Sequence, residues 1–86
     1  MGLHWGDIMA TAFILINTDV AAEESVMEKL KELPEVVTVH LVYGIYDLIV
    51  KVQADNLDDL KKGVTGDLRS VDGIRTTMTM IAVNDK

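Results

Sequence analysis

The side chains that could do chemistry gather at one turn and one strand. In "VYGIYDLIVKV", residues 42–52, Asp47 follows the glycine of a turn, Gly44, and directly precedes the apolar run Leu48-Ile49-Val50. A carboxylate at that junction meets both solvent and interior. Ionised, it only accepts hydrogen bonds, so it suits an ammonium group or backbone N–H donors. Two readings stand: Asp47 receives a ligand, or it ties down the Gly44 turn. Taken alone, the residues favour the second. Tyr43 and Tyr46 flank the turn, where their rings could wall a pocket or pack over the hairpin.

Thr77 and Thr79 are two apart, so a strand places them on one face. Their hydroxyls suit the carboxylate or amide of a small ligand, although threonine is also an ordinary strand residue. Arg75 is expected on the same face, against an anion, an acidic residue of another subunit, or solvent. Met78 and Met80 alternate with the threonines and read as core or interface filler. His40 reads as a surface or interface residue, and His4 is too far away in sequence to join it in a metal site. There is no cysteine, hence neither a disulfide framework nor a thiolate site. No nucleophile–base pair stands at local spacing, and no glycine-rich loop is built to cradle phosphate. No catalytic residue, metal or cofactor is therefore expected.

These residues need elements to position them. "ATAFILINT", residues 10–18, is β-branched and apolar, as for a strand buried on both faces. From Val20 the period changes: Val26, Leu30 and Leu33 form a stripe with Met27 beside it, and acidic residues fill the start, where the helix dipole favours them. Pro34 stops that helix. "EVVTVHLVY" alternates, with Val37, Val39 and Leu41 expected on one face, and "YDLIVKVQA" follows the turn as a third strand. Asp55 or Asn56 can cap a second helix with the stripe Leu57, Leu60, Val64 and Leu68, weakened by Gly63 and Gly66. Asp72-Gly73 ends it, and "IRTTMTMIAV" is the fourth strand.

The order β-α-β-β-α-β predicts an α+β, ferredoxin-like antiparallel sheet with two helices on one face, strands one and three central. The halves even echo one another, "FILINTD" lining up with "IVKVQAD". With Leu48, Val50 and Val52 under the helices, Ile49 faces away. Strand one adds either Ala12, Ile14 and Ile16 or Phe13 and Leu15 to that outer face. An apolar patch of this kind marks an interface, so a homodimer is expected.

Size and charge fit. Eighty-six residues with 49% hydrophobic content make one small domain. The net charge of −6, with the positive residues scattered, argues against direct nucleic-acid binding. No apolar run approaches the roughly 20 residues that span a bilayer, and "MGLHWGDIM" does not resemble a signal peptide, so a cytoplasmic protein is expected. Residues 1–9 read as an extension and residues 10–86 as the domain, with Met9 a possible natural start.

"ATAFILINTD", "LPEVVTVHLVYGIYDLIVKVQADNLDDL" and "GIRTTMTMI" resemble the ligand-binding domain of the leucine-responsive regulatory protein/AsnC (Lrp/AsnC) family, also called the RAM domain. The resemblance runs from about residue 10 to residue 83 and rests on "YGIYD" in the hairpin and "GIRTTMT" entering the last strand. It implies the dimeric α+β-barrel arrangement, with dimers assembling into rings, often octamers, and an effector amino acid between dimers near the G-x-x-D hairpin. By that match Gly44, Tyr46 and Asp47 belong to the pocket, while Thr77 and Thr79 contribute from a neighbouring subunit. Asp47 would then serve a ligand rather than the fold.

Full-length regulators of the family carry an N-terminal helix-turn-helix, for which nine residues ahead of strand one leave no room. The resemblance therefore implies a stand-alone member, sensing a small effector or co-assembling with a full-length regulator. Stand-alone members often have proline where this chain has Ile45. Two other readings use the same residues. A small enzyme on this frame would need Asp47, His40 and Tyr46 in one cleft, and a purely structural subunit would use Asp47 as a brace.

Overall fold

In a computed structural model of the chain, residues 9–82 are described; the reading of the residues before Met9 as an extension lies outside them. The elements are β1 (Ala10–Thr18), α1 (Glu23–Lys31), β2 (Val36–Leu41), β3 (Leu48–Ala54), α2 (Leu57–Lys62), a π-helix continuing α2 (Gly63–Leu68), and β4 (Ile74–Ala82). The sheet order is β2-β3-β1-β4 with every neighbouring pair antiparallel. This is the expected ferredoxin-like α+β architecture, with β1 and β3 central.

Alternation along β1 decides which face is which. Ala12, Ile14 and Ile16 are fully buried and lie opposite Val52, Val50 and Leu48, which are also fully buried. Val26 and Leu30 of α1, with Leu60, Val64 and Leu68 beyond β3, complete the core from one side. Burying each of these aliphatic side chains contributes about 1.5–3 kcal/mol. Phe13 and Leu15 therefore point to the other face, alongside Ile49, Met78 and Met80.

Three expectations need correction. On β2 a bulge falls between Val36 and Thr38, so Val36 rather than Val37 meets the core, and Val37 and Leu41 are both about half exposed. The extra residue of a bulge breaks strict alternation. In the second helix Leu57 is exposed, while Leu60, Val64 and Leu68, each four residues apart, are buried. The wider π-turn explains this spacing, since four residues come closer to a full turn there than in an α-helix. On β4 the register slips between Asn17 and Thr18, which pair with Thr76 and Ile74, leaving Arg75 without an opposite residue in the register. Arg75 therefore sits at an irregularity and does not continue the row of Thr77 and Thr79.

Two local contacts set the ends of the elements. Asn56 caps α2, its Oδ1 accepting from the Asp59 N–H at 2.8 Å. Gly73, with φ of +99°, turns the chain into β4 where an added Cβ would lie 2.9 Å from Val26 Cγ2. Its carbonyl accepts from the Asp19 N–H at 2.8 Å, which anchors the turn between β1 and α1. Ala21 in that turn has φ of 63°, a left-handed conformation that costs a residue with a Cβ roughly 1–2 kcal/mol.

Candidate functional site

Asp47 opens β3 and is bound on both sides. Its carbonyl accepts from the Val42 N–H at 2.9 Å, closing the hairpin, and its own N–H donates to the Ile16 carbonyl at 2.9 Å. The side chain then reaches β1. Thr18, itself buried, donates its N–H to Asp47 Oδ2 at 2.9 Å and its hydroxyl to the same oxygen at 3.3 Å. The carboxylate thus satisfies a buried backbone donor where regular pairing has ended. Asp47 does serve the fold, and the bond goes to the end of β1 rather than to the Gly44 turn.

The same residue lines a cleft of about 400 Å³ between the hairpin and the start of α1. Glu23 and Glu24, in the first turn of α1, stand on one wall with Ala21; Leu41, Val42 and Tyr43 form the other. Among the described lining residues every ionisable side chain other than the Tyr43 phenol is a carboxylate, which makes the local potential negative and suits a cationic group. The Tyr43 and Leu41 wall would pack an aliphatic or aromatic substituent. Among the described residues no group of three His, Asp or Glu is close enough to hold a metal ion, so the acids are spread as a lining rather than gathered as a ligand set.

The other candidates fall in different places. Gly44 sits at the exposed hairpin tip with φ of +157°, a conformation that favours glycine, and a Cβ there would meet open space. Ile45 beside it is also exposed. Tyr46 turns to the opposite face of the sheet, its hydroxyl donating to Met78 Sδ at 3.6 Å. Thr77 lies opposite Ile16 and Thr79 opposite Ile14, on the helix-bearing face of β4. Thr79 lines a separate cavity of about 160 Å³ under α2. One chain therefore gathers Asp47 with Tyr43, next to Gly44, and not with Tyr46, Thr77 or Thr79.

His40 pairs with Ile49 on the open face, away from the cleft that holds the Asp47 carboxylate. The convergence of Asp47, His40 and Tyr46 that a small enzyme would need is not found in the chain. Sequence reasoning missed Glu23 and Glu24 as lining of the cleft, reading the acidic start of that helix only as favourable to its dipole. Their signal was positional: an acidic pair directly after the β1 turn must lie beside whatever that strand's end touches.

Known proteins resemble the chain at both levels. The family described as the Lrp/AsnC ligand binding domain matches residues 11–85. An uncharacterized HTH-type transcriptional regulator from Pyrococcus horikoshii, PH1916, is 39% identical over 75 residues, which cover 84% of this chain and 50% of that protein. The chain thus spans about half the length of such curated relatives. The crystal structure of FFRP-DM1 superposes with a TM-score of 0.82 at 50% identity, covering 86% of this chain and 99% of that one. The transcriptional regulator NMB0573 of Neisseria meningitidis, solved as an L-Met complex, shares the fold with a TM-score of 0.78 at 19% identity, covering 88% of this chain and 51% of that one.

Proposed function

Since the chain belongs to the Lrp/AsnC ligand-binding domain family, we propose that it is an effector-binding and oligomerisation module in transcription regulation, and that its effector is an α-amino acid. The observation that carries this reading is the negative cleft at the hairpin, where Asp47, Glu23 and Glu24 face an apolar wall. An α-ammonium would sit among the carboxylates, and the side chain would lie along Leu41 and Tyr43. The cleft is wide for one small ligand, and Tyr43 and Ile45 are almost wholly exposed. A second subunit closing over the hairpin would cover these groups and bring donors for the ligand carboxylate. Thr77 and Thr79 of a neighbouring subunit are the proposed donors, with Gly44 allowing close approach.

The open sheet face supports self-assembly. Phe13, Met78 and Met80 are 36%, 50% and 47% exposed there, beside Leu15 and Ile49. Two such faces back to back would bury a continuous apolar layer, and rings of dimers such as an octamer follow if hairpins meet between dimers. The relatives named as HTH-type regulators support a regulatory context rather than catalysis. A helix-turn-helix regulator would be a fitting partner, joined through the same interfaces. No helix among the described residues is long and apolar enough to cross a membrane, and we place the module in the cytoplasm with such regulators.

Thermal unfolding against the twenty amino acids tests the reading. A ligand that binds only the folded form adds roughly 2.7 kcal/mol at about 100 times its dissociation constant. The expected result is a selective rise in Tm for one or a few amino acids, lost in Asp47→Asn and reduced in Glu23→Gln. A panel with no shift for any amino acid would overturn it.

A further inference from the structure

A second cavity, unrelated to the acidic cleft, lies at the other end of β1. It occupies about 160 Å³ between α2 with its π-helix and the C-terminal half of β4. Ala12 and Thr18, which mark the two ends, are six residues apart, or about 20 Å along the strand. Leu60, Val64 and Ile81 give the cavity an apolar lining. Lys61, Thr65, Arg69 and Thr79 are also among its lining residues, and among the described residues of the lining there is no carboxylate. Among the described residues neither Lys61 nor Arg69 has an ion-pair partner.

The π-helix is an independent sign. Six consecutive residues, Gly63–Leu68, adopt a conformation that is rare, occurs mostly as single turns, and is found frequently at functional sites. It carries Val64 to the cavity lining, and Arg69 follows directly at its end. An apolar pit of this size holds a group comparable to a benzene ring, and a lining that includes Lys61, Arg69 and Thr79 suits one anionic head. An α-amino acid would be a poor occupant, because its ammonium would meet Lys61 and Arg69 with no carboxylate among the described lining residues to receive it.

We propose that this cavity binds a short-chain aliphatic monocarboxylate lacking an amine, with the alkyl group against Leu60, Val64 and Ile81 and the carboxylate between Lys61 and Arg69. Within one chain the site shares no lining residue with the hairpin cleft. Thr79 alone is also assigned by the amino-acid reading, to a neighbouring subunit's pocket, and the variant that tests the site changes Lys61 and Arg69 instead, so the two readings fail separately. Two sources share this chemistry: simple branched acids and 2-oxo acids.

The test is a methyl-resolved NMR titration of the full chain with sodium 3-methylbutanoate and with 4-methyl-2-oxopentanoate. Saturable shifts at the Val64 and Ile81 methyls, with Leu41 and Val42 unmoved, are the expected result, and the tighter of the two acids identifies the source. The neutral isostere 3-methylbutanamide should bind at least about tenfold more weakly, as should either acid to a Lys61→Gln/Arg69→Gln variant, since a charge-assisted contact is lost in each case. Both substituted residues are exposed, so the variant keeps its core, which its own methyl spectrum verifies. The absence of saturable shifts, equal binding of the amide, unchanged binding by the double variant, or shifts confined to Leu41 and Val42 would each overturn the proposal.

Discussion

Asp47 carries two demands at once. One oxygen is committed to Thr18, through a buried N–H at 2.9 Å and a hydroxyl at 3.3 Å, while the residue also lines the hairpin cleft. Asp47→Ala should therefore destabilise the chain in the absence of any ligand, by about 1–3 kcal/mol, because a buried donor loses its acceptor. Urea unfolding measures this, and an unchanged midpoint would mean that the bond contributes nothing. Glu23 and Glu24 differ, since no hydrogen bond ties either side chain to the described residues. Glu23→Gln/Glu24→Gln should leave the unfolding free energy within about 0.5 kcal/mol yet weaken an ammonium-bearing ligand. A variant pair that separates stability from binding in this way distinguishes brace from receptor, which Asp47 alone cannot do.

At the scale of elements, the two glycine-bearing joints should respond in opposite directions. Gly73 combines a left-handed φ with a Cβ position 2.9 Å from Val26 Cγ2, so Gly73→Ala should cost about 2 kcal/mol or more by strain and displacement of a core side chain. Gly66, in the π-helix, has open space where a Cβ would go and no positive φ. Gly66→Ala should stabilise by about 0.5–1 kcal/mol through the reduced entropy of the unfolded chain. Equilibrium unfolding of both checks the signs, and a destabilised Gly66→Ala would show that the π-conformation needs glycine there.

The same elements show what sequence could and could not reveal. β1 and β3 were legible because two-sided apolarity leaves central strands few alternatives, and the Asn56 cap follows from its side-chain chemistry. The bulge at Val37 was not legible, since it depends on how β2 meets Val52 and Val50 of β3. Likewise the π-helix replaces an α-helix with the same apolar residues. As for the site, Asp47 stood out by breaking the apolar pattern, but its partner Thr18 lies 29 residues away. Tyr46 shares the hairpin with Asp47 and still turns to the other face, where Met78 receives it.

At the scale of the whole molecule, the sheet has one face covered by helices and one that no other described element covers. Phe13, Leu15, Ile49, Met78 and Met80 make this second face an apolar patch of the kind that marks an interface, and self-assembly through it is the proposal. Met78→Glu/Met80→Glu changes two exposed side chains of that face, and sedimentation velocity should show the assembly falling to monomer. An unchanged sedimentation coefficient would remove this face from the interface. In the proposed assembly, association and ligand binding would be linked at the hairpin, because a ligand held between subunits would stabilise the assembled state by its preference for that state. The most direct measurement is therefore calorimetric titration of the assembled protein with the amino acid selected by the unfolding panel and with its N-acetyl derivative. Recognition of the ammonium by Asp47, Glu23 and Glu24 predicts saturable heat for the free amino acid and none for the N-acetylated form. Equal binding of the two would contradict an acidic cleft that reads an α-ammonium.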